Sequence, residues 1–169
     1  MFKIRYASIR KLDITNGPGV RVSLFTQGCN IFCKGCFNSD IWNYDGGKEW
    51  TEETKKLVLD LCNKPQIKGL SILGGEPLSP QNFDDLKDLL ISFKELMPNK
   101  SIWLWTGYVF EDLTAEQLEI VKLVDVLVDG PWMIDLGDFS LKYRGSSNQR
   151  IINVKETLNQ NSIILLEDL

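Results

Sequence analysis

Cys29, Cys33 and Cys36 bring three of the chain's four cysteines onto one short loop, Gly28-Cys29-Asn30-Ile31-Phe32-Cys33-Lys34-Gly35-Cys36-Phe37, with the spacing C-x3-C-x2-C. Thiolates are soft ligands suited to zinc or iron-sulfur chemistry, and three on one loop can close around one metal centre. Three ligands leave a tetrahedral zinc or a four-iron cluster one bond short. An open coordination position can take substrate or cofactor, which separates a reactive site from one that only staples the fold. Structural zinc sites usually come as two C-x2-C knuckles, and the second is missing here. The loop therefore predicts a reactive metal site.

The chain contains no histidine. That removes the usual general base near neutral pH, any Ser-His or Cys-His nucleophile pair, and every His-ligated metal site. Whatever chemistry occurs must be carried by a metal, a cofactor or carboxylates. With 169 residues, 43% of them hydrophobic and 25% charged, the chain suits a single globular domain over 1–169. A formal net charge of -4 offers no basic footprint for nucleic acid or an anionic membrane. No apolar run approaches the ~18 residues of a spanning helix. The start, Met1-Phe2-Lys3-Ile4-Arg5, lacks the apolar core of a signal peptide, so the expected location is the cytoplasm. Thiols stay reduced there, and clustered cysteines bind metal rather than pair as disulfides.

The elements that must position the loop can be read in order. Residues 3–15 suit a strand or hairpin arm, and Asn16-Gly17-Pro18-Gly19 forces a turn. Val20–Phe25 alternates and is rich in β-formers, so a strand delivers the chain to Cys29 and leaves the loop at its carboxyl end, where α/β folds place active sites. Thr51 is an N-cap for a helix to about Asn63, with Leu57, Val58, Leu61 and Cys62 at helical spacing. Cys62 reads as a small buried core residue, the competing reading being a fourth cluster ligand.

Gly69–Leu73 is a second strand, ending at Gly74-Gly75-Glu76-Pro77. Glycines at a strand end let the backbone come close to a ligand, although such a pair can also be a plain turn. Phe83, Leu86, Leu89, Leu90, Phe93, Leu96 and Met97 form a helical stripe stopped by Pro98. Ser101–Trp105 is a third strand, Thr114-Ala115-Glu116-Gln117 a capping box, and Val124–Asp129 a fourth strand. Strand and helix alternate with long crossovers, which implies parallel strands with right-handed connections. The expected fold is α/β, an open partial (βα) barrel with mostly parallel strands. Residues 131–150 are irregular, and the donor-rich Tyr143–Arg150 segment either closes over a cofactor or partner or is a solvated loop. Ile151–Val154 and Ile163–Leu166 suit a terminal hairpin turning over 156–162, and its last arm could also pack on a second subunit.

The cysteine spacing with an aromatic after Cys36 resembles the radical S-adenosylmethionine superfamily. Asn16–Gly19, Gly74–Pro77, Trp105-Thr106-Gly107-Tyr108, Asp129-Gly130-Pro131 and Arg144-Gly145-Ser146-Ser147-Asn148-Gln149-Arg150 are, in this order, similar to the activating proteins of anaerobic (class III) ribonucleotide reductase, over about residues 8–154. The resemblance implies a radical S-adenosylmethionine fold of reduced size and a [4Fe-4S] cluster held by Cys29, Cys33 and Cys36 with one open iron. It implies that S-adenosyl-L-methionine lies against Gly35, Cys36 and Phe37, with Gly74 and Gly75 along its methionine end. Glu76 either helps hold that cofactor or only orders the loop. No side chain is implied as catalytic, since cluster and cofactor carry the chemistry. The implied reaction is reductive cleavage to methionine and a 5′-deoxyadenosyl radical, which makes a glycyl radical on the large subunit of the reductase. An electron donor such as flavodoxin is the further implied partner, and a homodimer is compatible with the sequence. Two alternatives stand beside this: another radical enzyme of the superfamily, and a non-catalytic electron-transfer module using Cys62 as fourth ligand.

Overall fold

A computed structural model describes residues 3–167; Met1 and Phe2, part of the stretch read above for a signal peptide, lie outside the described residues. The chain runs β1 (Arg5–Asp13), β2 (Arg21–Thr26), β3 (Lys48–Glu49), α1 (Glu52–Cys62), β4 (Gly69–Gly74), α2 (Phe83–Leu96), β5 (Ser101–Trp105), α3 (Ala115–Val121), β6 (Val126–Asp129), β7 (Arg150–Asn153) and α4 (Val154–Gln160). The strands form one open sheet in the order β3-β1-β2-β4-β5-β6-β7.

The expected parallel order holds for the centre of the sheet. β2, β4, β5 and β6 are parallel neighbours, each pair joined by one helix. The edges differ: β1 pairs antiparallel with β2 and β3, and β6 pairs antiparallel with β7. The sheet is therefore mixed, and it does not close. The physical reason lies in the connections, because the tight turn at 14–20 reverses the chain where a helical crossover would have kept it parallel.

Right-handed crossovers between strands laid down in sequence put α1, α2 and α3 on one face. Period-two alternation then divides the strand side chains between the two faces. Leu24, Ile72, Leu104, Leu127 and Ile152 stand in register across five strands and belong to the main core with the helices. On the other face Trp103, Val126, Val128 and Ile151 form a smaller cluster with Trp105, Tyr143 and Leu166. This second face carries the site.

Helix starts follow their caps. Thr51 accepts from the Thr54 amide, and Thr114 and Gln117 complete the capping box. Two positions in the expected stripes turn outward: Leu57 and Leu96 are exposed, whereas Leu59 is buried. The terminal hairpin is also modified. Its arms do pair, with Asn153 donating to Ile164 and Leu166 to Ile151, but α4 fills the connection read as a turn. Asn153 explains the helix, since its side chain caps the Glu156 amide.

Candidate metal and cofactor site

The cysteine loop leaves the carboxyl end of β2 and is pinned by backbone hydrogen bonds from Gly28 to Ile41 and from Cys29 to Trp42, at 2.7 and 3.1 Å. Gly28 has a positive φ of 96°, and a Cβ there would stand 2.0 Å from the Tyr44 ring. Cys29 is buried; Cys33 and Cys36 are half-buried. The Ile31 and Phe32 amides favour the thiolate form of Cys29, and the Trp132 amide that of Cys33. Asn38 donates its amide to Cys36 Sγ at 3.4 Å. Burial pushes the Cys29 and Cys33 thiols up, against the pull of those amides.

A cavity of about 760 Å³ opens beside the loop. Cys29, Cys33, Cys36, Gly35, Phe37, Gly74, Gly75 and Glu76 all line it, so the residues that the resemblance assigns to cluster and cofactor border one space. That volume is in the range of cofactor pockets. The backbone of Gly74 and Gly75 forms part of the wall, as a glycine pair at a strand end allows. A cavity of about 740 Å³ beside Arg5, Tyr44 and Trp50 is lined by no cysteine.

Glu76 is 1% exposed. Its carboxylate accepts from the Thr106 hydroxyl at 2.8 and 2.9 Å, from the Gly107 amide at 2.6 Å and from the Leu78 amide at 2.9 Å. Burial pushes its carboxyl up to about 7, opposed by these donors. These contacts account for the loop-ordering role raised above.

The irregular segment is an ordered flap. Gln149 Oε1 accepts from the amides of Gly145 and Ser146, its Nε2 donates to the Gly130 carbonyl, and Asn148 donates to that of Pro131. Arg150 joins Asp129 on β6 to Glu111, a tie within the fold. Arg144 lines the cavity and donates to the Gln149 carbonyl. Trp132 is thereby laid over the loop, its ring against the Cα of Gly35 and tilted on Phe37 at 5.1 Å. Phe139, 98% exposed, extends this aromatic rim. The sequence reading missed the part played by Trp132, for which the only signal was its place beside Asp129-Gly130-Pro131.

The donor set suits an iron-sulfur group. Among the described residues no three His, Cys, Asp or Glu side chains stand close enough together to hold a single metal ion. All three thiols line the one cavity, and thiolates are the ligands that iron-sulfur clusters take. Cys62 lies apart, fully buried in the helix-side core, with its thiol pushed up to about 12 by burial.

An open α/β sheet with three thiols and a glycine pair around one cavity defines a cluster-binding domain, and the chain matches the family model described as a 4Fe-4S single cluster domain over residues 15–152. It is similar to proteins named anaerobic ribonucleoside-triphosphate reductase-activating protein. The relative from Escherichia coli is 40% identical over 154 residues, which is 90% of this chain and 100% of that one. The relative from Salmonella typhi is 42% identical over the same shares, and that from Haemophilus influenzae 35% identical over 90% of this chain and 99% of its own. The chain belongs to this family of anaerobic ribonucleoside-triphosphate reductase-activating proteins.

Proposed function

We propose that the chain is a radical S-adenosylmethionine enzyme that activates anaerobic ribonucleotide reductase by generating a glycyl radical on its large subunit. The observation that carries this reading is the convergence of Cys29, Cys33 and Cys36 with Gly74 and Gly75 on one cavity at the carboxyl ends of β2 and β4. When bound, a [4Fe-4S] cluster supplies one electron for cleavage of S-adenosyl-L-methionine to methionine and a 5′-deoxyadenosyl radical.

In this reading the protein binds, aligns and excludes water. Cys29, Cys33 and Cys36 hold the cluster and leave one coordination position open. Gly35 and Phe37 flank the cofactor beside Cys36, and the backbone of Gly74 and Gly75 meets its methionine end. The Trp132 flap limits access of water to the thiols. The exposed rim of Phe37, Met133, Ile134 and Phe139 favours a protein as substrate, since exposed apolar patches mark interaction sites. The whole chain acts as one domain, an open, reduced relative of the radical S-adenosylmethionine barrel. It works in the cytoplasm with a one-electron donor such as flavodoxin, and half-exposed Leu165 is available to a second copy in a homodimer.

The test mixes anaerobically reconstituted protein, reductant, S-adenosylmethionine and the reductase large subunit. The expected result is methionine and 5′-deoxyadenosine together with an organic radical signal on the reductase. Products formed without that signal would leave a cofactor-cleaving enzyme with a different partner.

A further inference from the structure

Glu76 is a fully buried carboxylate on the cavity wall that meets hydrogen-bond donors only. None of the ion pairs among the described residues includes it. Its three donors are the Thr106 hydroxyl, shared between the two carboxylate oxygens, and the Gly107 and Leu78 amides. Its own amide donates to the Gly28 carbonyl at 2.7 Å, and its carbonyl accepts from Asn82 at 3.1 Å. One residue thus joins the ends of three parallel strands: β2 through Gly28 beside Cys29, β4 through Gly75, and β5 through Thr106 and Gly107. Thr106 is the hinge of the arrangement, because its hydroxyl reaches both carboxylate oxygens and also accepts from the Tyr108 amide at 3.1 Å.

We propose that Glu76 is a positioning residue, acting through Thr106 and Gly107 rather than by touching the cofactor, and that the Glu76–Thr106 pair holds the Gly74–Gly75 backbone where it can bind. This rests on the reading that the cavity takes S-adenosylmethionine. The carboxylate is engaged on both oxygens by protein donors, which leaves its role to be exerted through the loops it joins. Donors buried around a charged acceptor are expensive to leave unmet, so the tie is firm while it is intact.

Thr106→Val removes the hydroxyl without altering any residue assigned to cofactor contact. In metal-free protein, amide exchange at Gly107 and Leu78 should rise by roughly tenfold or more, the scale of one lost charge-assisted hydrogen bond. In the reconstituted enzyme the KM for S-adenosylmethionine should rise by about as much, with kcat changed by no more than about twofold. Thr106→Ser should restore both readings. Glu76→Gln should repeat the Thr106→Val pattern more strongly. A KM raised in Glu76→Gln but of wild-type value in Thr106→Val would show direct contact with the cofactor and overturn the proposal. Faster exchange in Thr106→Val with an unchanged KM would overturn it as well, by reducing the tie to a structural one. Wild-type protein that cleaves no S-adenosylmethionine would instead remove the underlying reading before any variant is compared.

Discussion

The Gly75 Cα faces the Gly28 carbonyl so closely that a Cβ on Gly75 would stand 2.1 Å from its oxygen. Gly75, directly after β4, and the glycine before Cys29 therefore share one close backbone contact, reinforced by the Glu76 amide on the same carbonyl. The cysteine loop and the Gly74–Gly75 segment are built as one unit.

Gly75→Ala should force these two loops apart. The neighbour is backbone, which has little room to yield, so the loss of stability should be about 2–4 kcal/mol. Thermal unfolding of the metal-free protein checks this. A melting temperature equal to wild type would show that the loops separate freely.

The buried carboxyl of Glu76 gives stability a definite pH dependence. Its folded pKa of about 7 lies above the usual 4.5, so between those values the folded state holds a proton more tightly than the unfolded chain. Stability from this group should fall as pH rises through that window, by up to about 3 kcal/mol. Denaturant unfolding of metal-free wild type and Glu76→Gln at pH 4.5 to 7.5 should show a steeper decline in the wild type. Parallel pH profiles would contradict the assignment.

Arg150 should matter to the fold more than to the cofactor. Its guanidinium bridges Asp129, which is 1% exposed, and the surface Glu111. Arg150→Ala leaves the Asp129 carboxylate with the Phe110 amide alone, a loss of about 2–3 kcal/mol for a half-buried pair. Cofactor affinity at a temperature where the variant is folded should stay at the wild-type value. A selective rise in KM for S-adenosylmethionine would place Arg150 at the cofactor instead.

Cys62→Ala should retain the cluster. The side chain is enclosed by the helix-side core, so the change removes one buried sulfur at about 1–2 kcal/mol. Iron content after reconstitution decides the matter, and loss of iron would favour the four-ligand electron-transfer module.

The parts of this protein that were legible in its sequence are those specified by neighbours in the chain. Thr51 and Thr114 announce their helices through capping, and the period-two run before Cys29 places the loop at a strand end. The C-x3-C-x2-C loop and the glycine pair could be recognised as site-forming because each is a compact motif. The remainder depends on contacts distant along the chain. The Glu76–Thr106 tie spans 30 positions, and the flap is folded back by Asn148 and Gln149 donating to the Pro131 and Gly130 carbonyls, 17 and 19 positions away. The β1–β2 arm could be read from its turn, but the antiparallel pairings of β3 with β1 and of β7 with β6 could not, since partner choice at a sheet edge is settled by tertiary packing. Asn153 did carry a capping signal for α4, but it sits directly after β7, where the apolar run reads as strand.

The most direct test of the central claim is low-temperature electron paramagnetic resonance of anaerobically reconstituted, reduced protein, recorded with and without S-adenosylmethionine. The account predicts a reduced four-iron signal that changes when the cofactor is added, and its loss when Cys29, Cys33 or Cys36 is replaced by Ala. A protein that holds zinc without iron, or a cluster signal indifferent to the cofactor, would contradict it.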